Sequence, residues 1–139
     1  MDKKKVYSML SKAYSWEFHS IALYTAYSER VSGAFSWLQD AFKKEAEESF
    51  GHAKKIAGIA SYLGFDVPGK LDFPEIPSKS ETKGMLEQAL KNEETAAKAY
   101  EELLKEVEGN DFFVEHELRH LLKAELTGIQ EVKRWLGKN

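Results

Sequence analysis

Counting outward from His52 in steps of three and four gives Phe35, Leu38, Phe42, Glu45, Ser49, His52, Ile56, Ile59 and Leu63. Residues so spaced share one face of an α-helix, so the stretch predicts a helix over 35–63 with an inward seam. The seam is apolar at both ends and polar in its three middle positions. Three more seams follow the same rule. Leu10, Tyr14, Glu17, Ile21, Tyr24, Ser28 and Val31 predict a helix over 6–31. Leu86, Leu90, Glu93, Ala97, Tyr100, Leu104 and Val107 predict one over 80–107, with Ser80 or Thr82 as its cap. Val114, Leu118, Leu121, Glu125, Gly128, Val132 and Trp135 predict one over 111–136. Ser32-Gly33, Leu63-Gly64, Gly109-Asn110 and Leu136-Gly137 supply the breaks.

From Phe65 to Lys79 the period disappears, and Pro68, Gly69, Pro74 and Pro77 forbid a continuous helix. Some fifteen extended residues reach about 50 Å, whereas a helix of about 28 residues is about 42 Å long. The segment can therefore return the chain along a whole bundle. The short turn between the first two helices makes them antiparallel neighbours. The expected fold is all-α: a four-helix bundle over residues 1–139 as one domain, with one long crossover between helices two and three.

Glu17, the group Glu45, Ser49 and His52, Glu93 and Glu125 each lie near the middle of their own helix. Midpoints of similar helices meet at one height in a bundle, so several carboxylates and an imidazole are expected in one small volume. Burying such groups without partners costs several kcal/mol. Carboxylate oxygens with a neutral imidazole suit iron, manganese or zinc, which gives the placement a physical purpose. Glu47 and Glu48 fall off the seam, although a shift of one position would bring Glu48 inward in place of Glu45. Tyr24 and Tyr100 are expected to pack and to find one hydrogen bond each. His19 is expected at the rim. Glu117 and His120 spell Glu-x-x-His but face outward, and His116 with His120 offers only two surface ligands.

Composition removes other classes of function. The 139-residue chain has no cysteine, which excludes disulfides, iron–sulfur clusters and thiolate zinc sites. Its net charge of −3, with acidic and basic residues interleaved, offers no face for nucleic acid. No run is apolar enough to span a membrane, and Val6 to Lys12 is too polar for a signal peptide. A cytoplasmic location is expected.

The run Glu47-Glu48-Ser49-Phe50-Gly51-His52-Ala53, followed by Leu63-Gly64 and a proline-bearing crossover, resembles the ferritin-like di-iron carboxylate superfamily, bacterioferritin and rubrerythrin in particular. That family places a glutamate on helix one, Glu-x-x-His on helix two, a glutamate on helix three and a second Glu-x-x-His on helix four. The resemblance implies Glu17, His52, Glu93 and Glu125 as metal ligands, with Glu45 a secondary candidate. Both paired motifs are half lost, reading Ser49-x-x-His52 and Glu125-x-x-Gly128. By the family pattern Glu17, His52 and Glu125 share one metal position and Glu93 belongs to the other. Ser49→Glu with Gly128→His is expected to restore the set if the seam has left room.

The implied cofactor is iron, with manganese or zinc as alternatives. No haem is expected, because Phe50 stands where bacterioferritin-like chains carry the axial methionine. A homodimer or small homo-oligomer is expected rather than a cage, since no fifth helix follows the fourth. The implied function is metal binding with iron, dioxygen or peroxide redox chemistry, as an oxidoreductase of ferroxidase or peroxidase type weakened by the two losses. The alternative is a non-catalytic helical structural or interaction protein that keeps a remnant polar site.

Overall fold

A computed structural model describes residues 1–137; residues 138–139, the end of the expected domain, lie outside the described residues. Four long helices and no strand occur among the described residues. They are α1 (Lys3–Ser28), α2 (Leu38–Tyr62), α3 (Thr82–Val107) and α4 (Phe112–Trp135). The all-α bundle with one crossover is what the seams led us to expect.

The helix limits differ from the expected ones for local reasons. α1 starts at Lys3 rather than Val6 because the Asp2 side chain accepts a hydrogen bond from the Lys5 amide and caps the first turn. It ends at Ser28 rather than Val31. Gly33–Phe35 forms a short 3₁₀ turn, so α2 begins at Leu38 and Phe35 is exposed instead of continuing the seam. Neither Ser80 nor Thr82 caps α3; Glu81 takes that position without a side-chain bond. At the end of α2, Gly64 adopts φ 90°, and the Phe65 amide reaches back to the Ala60 carbonyl. This glycine cap turns the chain out of the helix.

The core consists of two apolar clusters separated by the polar layer. One gathers Val6 and Leu10 of α1, Ile56 and Ile59 of α2, Leu103 and Val107 of α3, and Val114 and Leu118 of α4. The other gathers Leu23 and Tyr27 of α1, Leu38 and Phe42 of α2, Met85 and Leu86 of α3, and Val132 of α4. The first half of α1 thus lies with the second half of α2, the second half of α3 and the first half of α4. That arrangement makes α2 and α3 parallel and obliges the crossover to traverse the bundle.

The crossover runs along α1. Phe65 stacks on Tyr7 with ring centroids 4.5 Å apart. The Asp72 amide donates to Ser15 Oγ at 2.9 Å, and the Tyr27 hydroxyl donates to the Pro77 carbonyl at 2.9 Å. Arg30 then reaches Ser78 and the Lys79 carbonyl. If these bonds hold the strap in place, Tyr27→Phe should cost about 1 kcal/mol in urea denaturation. It should also speed proteolytic cleavage between residues 65 and 80. Unchanged cleavage would show that packing alone fixes the crossover.

Candidate metal centre

Each polar residue of the layer is delivered by its helix seam. Glu17 on α1, Glu93 on α3 and Glu125 on α4 are buried, as are Glu45 and Ser49 on α2. His52 is partly buried, with its side chain 19% exposed. Its Nδ1 lies 3.5 Å from Glu17 Oε2 and 3.4 Å from Glu125 Oε1. Ligand atoms of Glu17, His52 and Glu125 all lie within 4.8 Å of one another. Glu93 stands outside that group, and its carboxylate accepts a hydrogen bond from Tyr24.

Two buried atoms of this group have no hydrogen-bond partner: Glu17 Oε1 and His52 Nδ1. Unpaired buried polar atoms are costly, and a cation among them would satisfy both. Two carboxylates and one neutral imidazole form a donor set that suits a borderline or hard dication. The residues present therefore fit a metal ion.

Tyrosines brace the layer from both apolar clusters. The Tyr100 hydroxyl donates to Glu17 Oε2, and the Tyr24 hydroxyl donates to Glu93 Oε1 at 2.6 Å. Burial, reinforced by the neighbouring carboxylates, pushes both phenols well above their ordinary range. They remain protonated donors at neutral pH.

Ser49 and Gly128 are both buried on their seams, and the space at Gly128 is already taken. A Cβ built there would stand 3.0 Å from Glu93 Oε2 and 3.3 Å from its carboxyl carbon. The Glu93 carboxylate thus lies against the backbone of α4, where a side chain would otherwise project. A histidine at residue 128 would therefore have to displace the Glu93 carboxylate.

α1 and α2 pack closely, as do α3 and α4, whereas α2 and α4 hardly approach each other. Between them runs a groove of about 470 Å³ lined by Lys44, Glu48, His52, His120, Lys123, Gly128 and Glu131, among others. It opens the layer to solvent at His52 and Gly128. Glu131 and Lys123 were not singled out by the sequence, because nothing in a seam reveals which pair of helices stands apart. Glu48 is exposed, so the phase of α2 brings Glu45 inward and not Glu48.

His19 is a correction: it is 2% exposed, not a rim residue. Helix α1 is covered on a second face by α3 and the crossover, so residues off its main seam are buried as well. His19 Nδ1 pairs with Asn92 Oδ1, Asn92 donates to Ser20, and the His19 ring packs beside Trp16 and Phe73. His116 and His120 are exposed neighbours, and Glu117 pairs with Lys55 at 3.1 Å. Phe50 is exposed with Lys54 over its ring.

Burial is the main cause that raises the carboxyls of the layer. Glu45 is pushed up to about 8, by burial first and then by Glu93, Glu48 and Glu131. Burial also raises Glu93, and raises Glu125 well above its ordinary value with Glu17 and Glu93 adding to it. Burial opposes a charge on His52, but the carboxylates of Glu17, Glu93 and Glu48 together outweigh that effect and leave it raised.

A carboxyl raised in this way keeps a proton that the unfolded chain has already released, so folding is favoured at the acid end. The metal-free protein should lose stability as pH rises from about 5 to about 8. His52 acts in the same direction, and the buried His19, whose value is lowered, opposes it in part. A Tm that rises across this interval in chelator-treated protein would contradict the assignment. For Gly128, the gain in helix propensity and the contact with Glu93 oppose each other. Gly128→Ala should therefore stay within about 1 kcal/mol of the parent in urea denaturation. Gly128→His should be destabilised by about 1–3 kcal/mol, and equal stability of the two variants would show that Glu93 moves aside freely.

Comparison with known proteins agrees with this geometry. No curated protein matches the chain. A similar solved structure is described as that of ferritin-like, diiron-carboxylate proteins from Bacillus anthracis strain Ames. It shares 24% sequence identity, superposes with a TM-score of 0.90 and matches over 98% of each chain, which shows the fold. The profile of the ferritin-like domain matches residues 7–139. With nearly its whole length matched, the chain belongs to the ferritin-like family.

Proposed function

We propose that this chain binds a divalent metal, iron before manganese or zinc, with Glu17, His52 and Glu125 as ligands and Glu93 beside them. The observation that carries this reading is the convergence of three ligand groups within 4.8 Å, two of whose atoms have no other partner. Iron bound there would supply one-electron chemistry toward dioxygen or peroxide, which makes a weak ferroxidase- or peroxidase-like oxidoreductase the proposed activity. Losing a bridging glutamate at Ser49 and an imidazole at Gly128 argues for a single tightly held ion rather than a doubly bridged pair.

The chain's own groups have distinct tasks in this proposal. Tyr100 holds Glu17 through its hydroxyl, fixing the orientation of one ligand. Tyr24 does the same for Glu93, whose carboxyl can hold a proton next to Glu125. The two apolar clusters exclude water from above and below the layer. The groove between α2 and α4 admits small reactants at His52.

Iron(II) handling fits a reducing, cytoplasmic setting, and no helix among the described residues is long and apolar enough to cross a membrane. Exposed Phe35 and Trp37, close together just before α2, support association into a dimer or small oligomer. One observation favours the alternative, a structural protein with a remnant polar site. Glu93 is already bonded by Tyr24 and packed on Gly128, a network that needs no ion.

Metal analysis of full-length protein purified without a chelator separates the two. A tightly held metal, lost in Glu125→Ala while helicity is kept, is the expected result. Equal trace metal in parent and variant would leave the structural protein as the better reading.

A further inference from the structure

Outside the metal centre one more buried polar atom has no hydrogen-bond partner among the described residues, His19 Nε2. Its neighbours fix its chemical state. The side-chain nitrogen of Asn92 donates to Ser20 Oγ, which turns the Asn92 oxygen toward His19 Nδ1. An amide oxygen only accepts, so Nδ1 carries the ring proton. Burial disfavours a charge on the imidazole and keeps a second proton off it. Nε2 is therefore a bare lone pair of fixed direction, and leaving such an acceptor dry and unpaired is costly.

The same imidazole forms part of the wall of a cavity of about 210 Å³ between α1, α3 and the crossover. Two residues along a helix turn a side chain by about 200°, so this cavity lies on the opposite side of α1 from Glu17. Trp16 of α1 and Pro74 and Pro77 of the crossover give it flat apolar walls, and Thr95 stands on the α3 side. The charged groups that line it, Glu75 and Lys91, are exposed and opposite in sign, so they favour neither an anion nor a cation. An apolar cavity of about 150 Å³ holds benzene, whereas drug-sized ligands occupy roughly 300 Å³ or more. The space suits a single ring. Nε2 itself is closed off from water. The Phe73 ring packs beside the imidazole with centroids 5.1 Å apart and belongs to the crossover, the covering segment that gives way more readily than a helix.

We propose that this cavity binds a small uncharged single-ring molecule of the phenol class, whose hydroxyl donates to His19 Nε2 while its ring lies among Trp16, Pro74 and Pro77. The ligand enters as the Phe73 side of the crossover moves outward. A phenol hydroxyl is a stronger donor than water or an alcohol, and its ring replaces the apolar contact that Phe73 gives up. The site is independent of the metal centre and of what that centre does.

The test is a titration of chelator-treated full-length protein with phenol, read from the nitrogen-15 signals of the four histidine rings by nuclear magnetic resonance. Removing metal keeps a paramagnetic ion from broadening them. The His19 ring is identified by its loss in His19→Phe or, if that variant does not fold, by its proton on Nδ1. Phenol should shift the His19 Nε2 signal saturably, with one ligand bound per chain. Anisole, which keeps the ring but has a methyl in place of the hydroxyl hydrogen, should bind roughly tenfold more weakly or worse. Thr95→Phe puts a ring into the cavity and leaves the His19–Asn92–Ser20 chain in place, and it should weaken phenol by a similar factor. Equal affinity for phenol and anisole overturns the proposal, as does phenol binding that leaves Nε2 unshifted or is indifferent to Thr95→Phe. A His19 ring protonated on Nε2, or the lack of any saturable shift, overturns it too.

Discussion

Several carboxylates held in one dry layer repel each other and resist losing their water, and this constraint governs the middle of the bundle. Glu17, Glu93 and Glu125 are buried side by side, with Glu45 one turn further along α2. Three physical devices keep such a layer compatible with folding. Tyr100 and Tyr24 donate hydrogen bonds to Glu17 and Glu93. Protons remain on carboxyls whose values are raised by burial. The third would be the cation proposed above, for which Glu17 Oε1 and His52 Nδ1 stand without other partners. The apolar clusters on either side supply the burial energy that tolerates the layer, and they fix its height to that of the helix midpoints.

The absence of large side chains at Ser49 and Gly128 has a structural consequence as well as a chemical one. On α4 the Glu93 carboxylate fills the space over Gly128 instead of facing an imidazole. On α2 the small Ser49 leaves Glu45 as the next acidic group toward the Phe42 end of the core.

Helix α1 shows the limit of reading a seam as a single stripe. Its main seam places Glu17 and Tyr24 correctly, yet Ser15, His19, Ser20 and Tyr27 are buried too. They face α3 and the crossover, forming the His19–Asn92–Ser20 chain and the bonds to Asp72 and Pro77. A polar residue off the seam reads as solvent-facing until a second neighbour covers it. The proline-rich segment gave its length and direction through arithmetic, but not the side of the bundle on which it would lie.

The sequence alone determined the number of helices, the position of the crossover and the common height of Glu17, His52, Glu93 and Glu125. Those follow from the period of the α-helix and from the stiffness of proline, which act within one segment and need no knowledge of its neighbours. Tertiary structure decided which ligand atoms meet, that Glu45 and not Glu48 turns inward, that α2 and α4 stand apart, and that Glu93 occupies the space at Gly128. Each of these depends on the distance and rotation between helices far apart in the chain. Such quantities are set by how whole side-chain surfaces pack together, and a repeat of three or four residues carries no record of them.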